Sequence, residues 1–304
     1  MPTACARLPE PMHNPQHARL MRLATRAALT VALTLVLAKA IAWWLSGSVS
    51  LLAGLTDSLL DSAASLINLI AVHFALRPAD EDHRYGHGKA EALAGLGQAL
   101  FIGVSAVLIG LQGIERLQSP QPLEAEGVGI AVMLLSLGLT VTLLTFQRKV
   151  VRETGSTAIH ADSLHYRSDI LLNSSILLAL LLTRFGWLQM DAIFAIGIAF
   201  YIFWSAISIV RGAVAVLMDE ELPSETSQHM YALANAVPGV LGSHDLRTRI
   251  SGTRWFVQLH LELPGEMSLS DAHAHCEAVE KAIHAHYPRA EVLVHADPQE
   301  VVQH

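Results

Sequence analysis

Charge is what this chain has least of. Only 15% of its 304 residues are Asp, Glu, Lys or Arg, against about 25% in an ordinary soluble domain. With 52% hydrophobic residues and a mean hydropathy of +0.40, a multi-span membrane protein is the first expectation. Cysteine is nearly missing too. Cys5 and Cys276 are too few for a disulfide framework or a thiolate metal site, so both are expected as free thiols. No H-E-x-x-H motif is present, and His160, Asp162 and His165 lack its spacing, which leaves a membrane metalloprotease without its metal-and-base helix. Residues 1–22 are polar, proline-containing and basic, and do not resemble a cleaved signal peptide. No internal repeat or low-complexity tract is evident.

Six apolar stretches are long enough to span a bilayer. They lie near 23–45, 50–73, 91–117, 128–149, 157–183 and 190–214. The loop over 74–90 carries Arg77, Arg84 and Lys89, whereas 118–127 has no Lys or Arg. Basic residues therefore alternate in side, and the positive-inside rule places both termini in the cytoplasm. Lys39 and Arg116 fall near outer helix ends, where their long stems are expected to snorkel. The expected organisation is a tail over 1–22, a six-helix, all-α transmembrane bundle over 23–215 and a cytoplasmic domain over 216–304.

From Asp219 the pattern becomes that of a soluble domain. PSETSQHMYALANAV reads as a helix capped by Ser224, HDLRTRISG and RWFVQLHLEL alternate as strands, SLSDAHAHCEAVEKAIHAHY is an amphipathic helix, and AEVLVHADP a last strand. That order predicts an open-faced α+β sandwich. Residues 219–304 hold 13 acidic against 5 basic side chains, a net of −8, and 9 of the 16 histidines. Such a surface suits cations rather than nucleic acid.

Two acid pairs interrupt the apolar stretches. Asp57 and Asp61 share one face of the second expected helix, His165 and Asp169 one face of the fifth, because residues four apart are neighbours on a helix. An ionisable residue at the centre of a bilayer costs at least about 2.5–3.5 kcal/mol, so such residues usually mark an ion path. If the two helices met, three carboxylates and one imidazole would converge. That donor set favours Zn²⁺, Fe²⁺, Cd²⁺ or Mn²⁺ over Cu⁺, and the histidine leans toward zinc and iron. Ligands must be deprotonated to bind, so protons would compete with metal for the same groups, His165 foremost among them.

TDSLLDSAASLINL, RPADEDHRYGHGKAEALA, HADSLHYRSDILLN, LMDEELP and HDLRTR together resemble the cation diffusion facilitators, from about residue 20 to residue 298. The resemblance implies a six-span homodimer with a cytoplasmic ferredoxin-like, metallochaperone-like α+β domain that exchanges metal for protons. It places the transport site on Asp57, Asp61, His165 and Asp169. It implies a loop site on Asp80, His83 and His87, whose D-x-x-H-x-x-x-H spacing independently puts a carboxylate and two imidazoles within reach of one ion. It implies a binuclear tail site on His244, His260, His273, His295 and Asp297, with Asp297 as the bridge, and an ion pair between Lys89 and Asp219.

The expected function is export of divalent transition metal, with zinc as substrate and structural ion and Fe²⁺ or Cd²⁺ as further substrates. The short RKVVRETGS connection fits a bacterial or organelle-type efflux pump, here in a bacterial inner membrane, better than a vesicular zinc loader with a long His-rich loop. The competing expectation is a membrane-anchored metal sensor or scaffold.

Overall fold

The computed structural model describes residues 15–46, 49–119, 127–183 and 189–301. Cys5, Arg7, His13, most of the 118–127 loop, Arg184 and His304 lie outside them. The chain divides into two compact units, Gln16–Val214 and one carried by Ala215–His304.

Among the described residues, the first unit is six long helices: α1 Pro15–Ser46, α2 Val49–Ala75, α3 Lys89–Gln118, α4 Gly127–Thr154, α5 Thr157–Thr183 and α6 Met190–Leu217. Among the described residues, five helices are long and apolar enough to cross a membrane, α5 not being one of them. At 27 residues α5 matches α2 in length. Its first half, however, carries His160, Asp162, His165, Arg167 and Asp169. Those groups survive there because α5 packs against α2, α3 and α4 rather than facing outward alone.

Packing in this unit inverts that of a soluble protein. Its interior is built from small side chains: Ala24, Ala28, Ala99, Ala106, Ala158, Ala161 and Ala206 are all buried. Large apolar ones such as Leu37, Trp44, Leu111, Phe200 and Trp204 face outward. An exposed apolar surface of this extent suits lipid, not water, and small residues let helices approach closely. At Gly113 the approach is closest, since an added Cβ would sit 2.9 Å from Ile196 Cγ1 of α6.

Two boundaries differ most from expectation. α1 begins at Pro15, not near residue 23, because Met21 and Ala24 are fully buried against Val72, Val150 and Ile159. Pro is favoured at a first helical position. α4 runs through Thr154, so only Gly155 and Ser156 join it to α5. Gly155 adopts φ 70°, the left-handed stop that glycine supplies, and Ser156 Oγ caps α5 by accepting the Ile159 N–H at 3.2 Å. The buried Glu91 of α3 accepts a hydrogen bond from the same Ser156 hydroxyl.

The second unit contains α7 Ser224–Asn235, β1 Gly242–Ser251, β2 Arg254–Leu263, α8 Leu269–His286 and β3 Ala290–Pro298, then a short 3-10 turn, Gln299–Val301. β1 pairs antiparallel with β2, and β2 parallel with β3, in the order β1-β2-β3. Leu246, Val257, Leu259, Leu261, Val279 and Ile283 form the core between sheet and helices. Ser224 does not cap α7. Pro223 occupies that position without a side-chain hydrogen bond, so the helix starts on proline geometry. Ser268 does cap α8, accepting the Asp271 N–H.

Candidate metal sites

Inside the helical unit, α2 and α5 meet, and their acid pairs come together in part. Asp61, His165 and Asp169 each offer a ligand atom within 4.8 Å of the others. His165 Nε2 lies 2.9 Å from Asp61 Oδ1 and 3.8 Å from Asp169 Oδ2. This nitrogen is buried yet makes no aligned hydrogen bond, an expensive condition for a polar atom that a metal ion would relieve. Asp57 falls outside this group. One helical turn from Asp61, it lines a cavity of about 300 Å³ together with Asp61 and Asp169. That cavity draws on the second halves of α1 and α3 and the first halves of α2, α4 and α6, so it reaches the cluster from one end of the bundle.

Sequence reasoning missed several partners of this cluster. The Tyr166 hydroxyl is shared with Ser65 Oγ at 2.9 Å and reaches the Ala28 carbonyl at 3.2 Å, tying α5 to α2 and α1. Asp162, one turn before His165, accepts hydrogen bonds from Gln98 of α3 at 3.0 Å and Gln147 of α4 at 2.6 Å. These ties fix α5 in rotation and depth. Lys39 overturns the snorkelling expectation: its ammonium points inward to Ser58 Oγ, at 2.6 Å, and the Gly54 carbonyl, at 3.1 Å. It lines the cavity, as does Arg116. Buried hydroxyl and carbonyl acceptors offered it partners nearer than the helix end. The Arg167 guanidinium lies over the Tyr201 ring of α6, 5.2 Å from its centroid.

The loop between α2 and α3 folds Asp80, His83 and His87 together. Asp80 Oδ1 accepts the His83 backbone N–H at 2.7 Å and lies 3.2 Å from His83 Nδ1, while Oδ2 lies 3.2 Å from His87 Nε2. The His83 N–H holds the Asp80 carboxyl below the ordinary carboxylate range, which keeps it ionised for a cation. His87 is buried against the Phe74 ring and the other two are exposed, so the site is half-anchored.

In the tail, strand register assembles the ligands. His244 pairs with His260 across β1–β2, and His260 with His295 across β2–β3, forming one row over three strands. Two residues further along, on the same face, Glu262 pairs with Asp297. Asp297 reaches His260 Nδ1 at 2.7 Å, His295 Nε2 at 3.2 Å and His244 Nε2 at 3.5 Å. A bulge after His244, with Asp245 at φ 47°, turns this end of β1, as bulges beside sites commonly do. Glu262 was not foreseen. It is buried, and its Oε1 lies 3.0 Å from His244 Nδ1. His273 is not brought to this group within one chain. It is an exposed side chain on α8 whose Nε2 lies 3.5 Å from Glu277. Lys89 opens α3 and Asp219 follows α6, where it lies 3.6 Å from Arg249.

Family models and curated relatives agree with this architecture. The family model described as the cation efflux transmembrane domain matches residues 25–218, and that of the cation efflux protein cytoplasmic domain matches residues 222–299. The chain is 49% identical over 289 residues to the "Cation-efflux pump FieF" of Klebsiella pneumoniae, covering 95% of this chain and 96% of that protein. It is 50% identical over the same length and coverage to the protein of that name from Yersinia pestis. Among solved structures, "MamM-CTD 215-293" is 29% identical, with a TM-score of 0.24, covering 25% of this chain and 96% of that one. The chain is a multi-pass membrane protein with a separate small α+β domain, and it belongs to the cation efflux family.

Proposed function

We propose that this protein exports divalent transition-metal cations from the cytoplasm of a bacterium across the inner membrane, in exchange for protons, with both termini cytoplasmic. The observation that carries the reading is the convergence of Asp61, His165 and Asp169 within 4.8 Å at the inner end of a cavity also lined by Asp57. Two or three carboxylates and an imidazole accept zinc, with Fe²⁺ and Cd²⁺ as further substrates. Protonation of the same ligands expels the ion, and imidazole titrates nearest to physiological pH. The cavity opens toward the end where α1 finishes and α2 begins, the outer end under this orientation. It therefore corresponds to a release-competent arrangement, and an alternative one would open the cluster to the cytoplasm.

Asp80, His83 and His87 would hold a second ion that braces the loop between α2 and α3. His244, His260, His295 and Asp297 would hold structural zinc in the tail, with Asp297 bridging two ions. Because His273 stays apart within one chain, its place in that set requires a second copy, which fits a homodimer joined through this domain. An ion pair of Lys89 with Asp219 would couple the domains over residues 23–215 and 216–304. Metal in the tail would then bias the carrier through its different affinity for two states.

Zinc uptake into vesicles under an imposed pH gradient tests the transport reading. Asp61→Ala and Asp169→Ala abolish flux while the tail keeps its zinc. Wild-type protein that carries no more zinc than protein-free vesicles would instead favour a membrane-anchored sensor, and wild-type flux in both variants would place the transport site elsewhere.

A further inference from the structure

Two basic side chains line the cavity that leads to Asp61 and Asp169, and neither belongs to the metal-ligand set. Arg116 comes from the last turn of α3. Lys39, from α1, donates to Ser58 Oγ at 2.6 Å and to the Gly54 carbonyl at 3.1 Å. Positions 54, 57, 58 and 61 share one face of α2. The ammonium is therefore clamped to the strip of helix that bears both carboxylates, and Lys39 lines the same cavity as Asp57, Asp61 and Asp169. Three carboxylates around one cavity repel one another unless a cation sits among them. An ion path also has to empty: a site that only attracts cations binds tightly and releases slowly.

We propose that Lys39 is a tethered stand-in for the cargo. This rests on the transport reading above. With the site empty, its ammonium supplies positive charge to Asp57, Asp61 and Asp169, so the carrier can return without metal. An arriving divalent ion binds against that charge, which weakens its hold and speeds its release. A lysine is suited to this role because its charge is compact and its four-carbon stem lets the head withdraw while staying attached. A protonated amine has no lone pair, so it opposes the metal without ligating it. Lys39 is thus a positioning residue for charge, distinct from the ligands themselves.

The test is zinc uptake by full-length protein in proteoliposomes, with KM and maximal rate read separately. Lys39→Gln keeps hydrogen-bond donors for the Gly54 carbonyl and Ser58 while deleting the charge; Lys39→Met deletes both. Both variants lower KM roughly tenfold and slow the maximal rate, whereas Lys39→Arg, which keeps the charge, stays nearer wild type than either. An unchanged or raised KM in Lys39→Gln overturns the proposal. An effect confined to Lys39→Met also overturns it, by assigning the role to hydrogen bonding. So does Lys39→Arg behaving like Lys39→Gln, which keeps the test decisive if Lys39→Met fails to fold. Asp61→Ala is run alongside. If it carries zinc like wild type, the transport site itself is wrong; if it is silent while Lys39→Gln is unchanged, only the role of Lys39 fails.

Discussion

The helical unit and the tail each gather Asp and His side chains within 4.8 Å, by opposite constructions. In the helices, Asp61, His165 and Asp169 come from two elements, and a one-turn spacing supplies His165 and Asp169 together. They are held by long polar ties, Tyr166 to Ser65 and Ala28, and Asp162 to Gln98 and Gln147. In the tail, a flat row of His244, His260 and His295 is set by strand register, and one carboxylate, Asp297, touches all three. Helices can slide or rotate against one another by small steps, which would part Asp61 from His165. A hydrogen-bonded sheet cannot change register by one residue without turning its whole core face outward. Under the proposed function, a cluster on two helices that can shift would suit cargo, and one fixed by sheet register would suit a resident ion.

That contrast can be broken most severely in the tail at Asp297. Asp297→Ala removes the contact common to three histidines, so the zinc-dependent rise in the tail's melting temperature is lost. At a hundredfold excess over Kd that stabilisation is about 2.7 kcal/mol, several degrees for a domain of this size. The cargo cluster is untouched, so residual zinc flux remains measurable in vesicles. Loss of the melting shift together with retained tail zinc would argue against Asp297 as the bridge.

A smaller effect sharpens the comparison at Glu262. Its carboxylate takes the His244 Nδ1–H and leaves Nε2 facing Asp297, an outer carboxylate that orients a ligand. Glu262→Gln weakens tail zinc binding about 10- to 100-fold by titration calorimetry, while zinc flux still depends on Asp61 and Asp169. An unchanged tail affinity would remove Glu262 from the site. The smallest effect concerns Cys276, whose thiol is pushed up by burial and then by Glu280. In a Cys5→Ser background its alkylation at pH 8 is slow with or without zinc, because burial and not metal protects it. Fast alkylation that zinc suppresses would bring α8 into the tail site.

How much of this was legible in the sequence follows from what each feature needs. Asp57, Asp61, His165 and Asp169 stood out because a charge within an apolar stretch is costly and the helical period is local. Their unequal roles were not visible, since whether Asp57 or Asp61 meets His165 depends on how α2 and α5 rotate. Lys39 was misread because distance from a helix end says nothing of a Ser58 hydroxyl on the neighbouring helix. His260 and Asp297 could be named, yet Glu262 could not, because its contact with His244 exists only once β1 and β2 pair in register. The start of α1 was placed late for a similar reason: burial of Met21 comes from α2, α4 and α5, not from its own neighbours. The long helices were readable from composition, and the tail strands from alternation. Partners from other elements were not.

The central claim is that the residue at position 165 grips the cargo ion inside the helical unit. The most direct measurement is zinc-edge X-ray absorption on a His165→Cys variant in which Cys5, Cys276, Asp80 and Asp297 are also replaced, leaving one site and one thiol. A zinc–sulfur shell at about 2.3 Å is the predicted result. Zinc bound at full occupancy through oxygen and nitrogen alone would contradict the account.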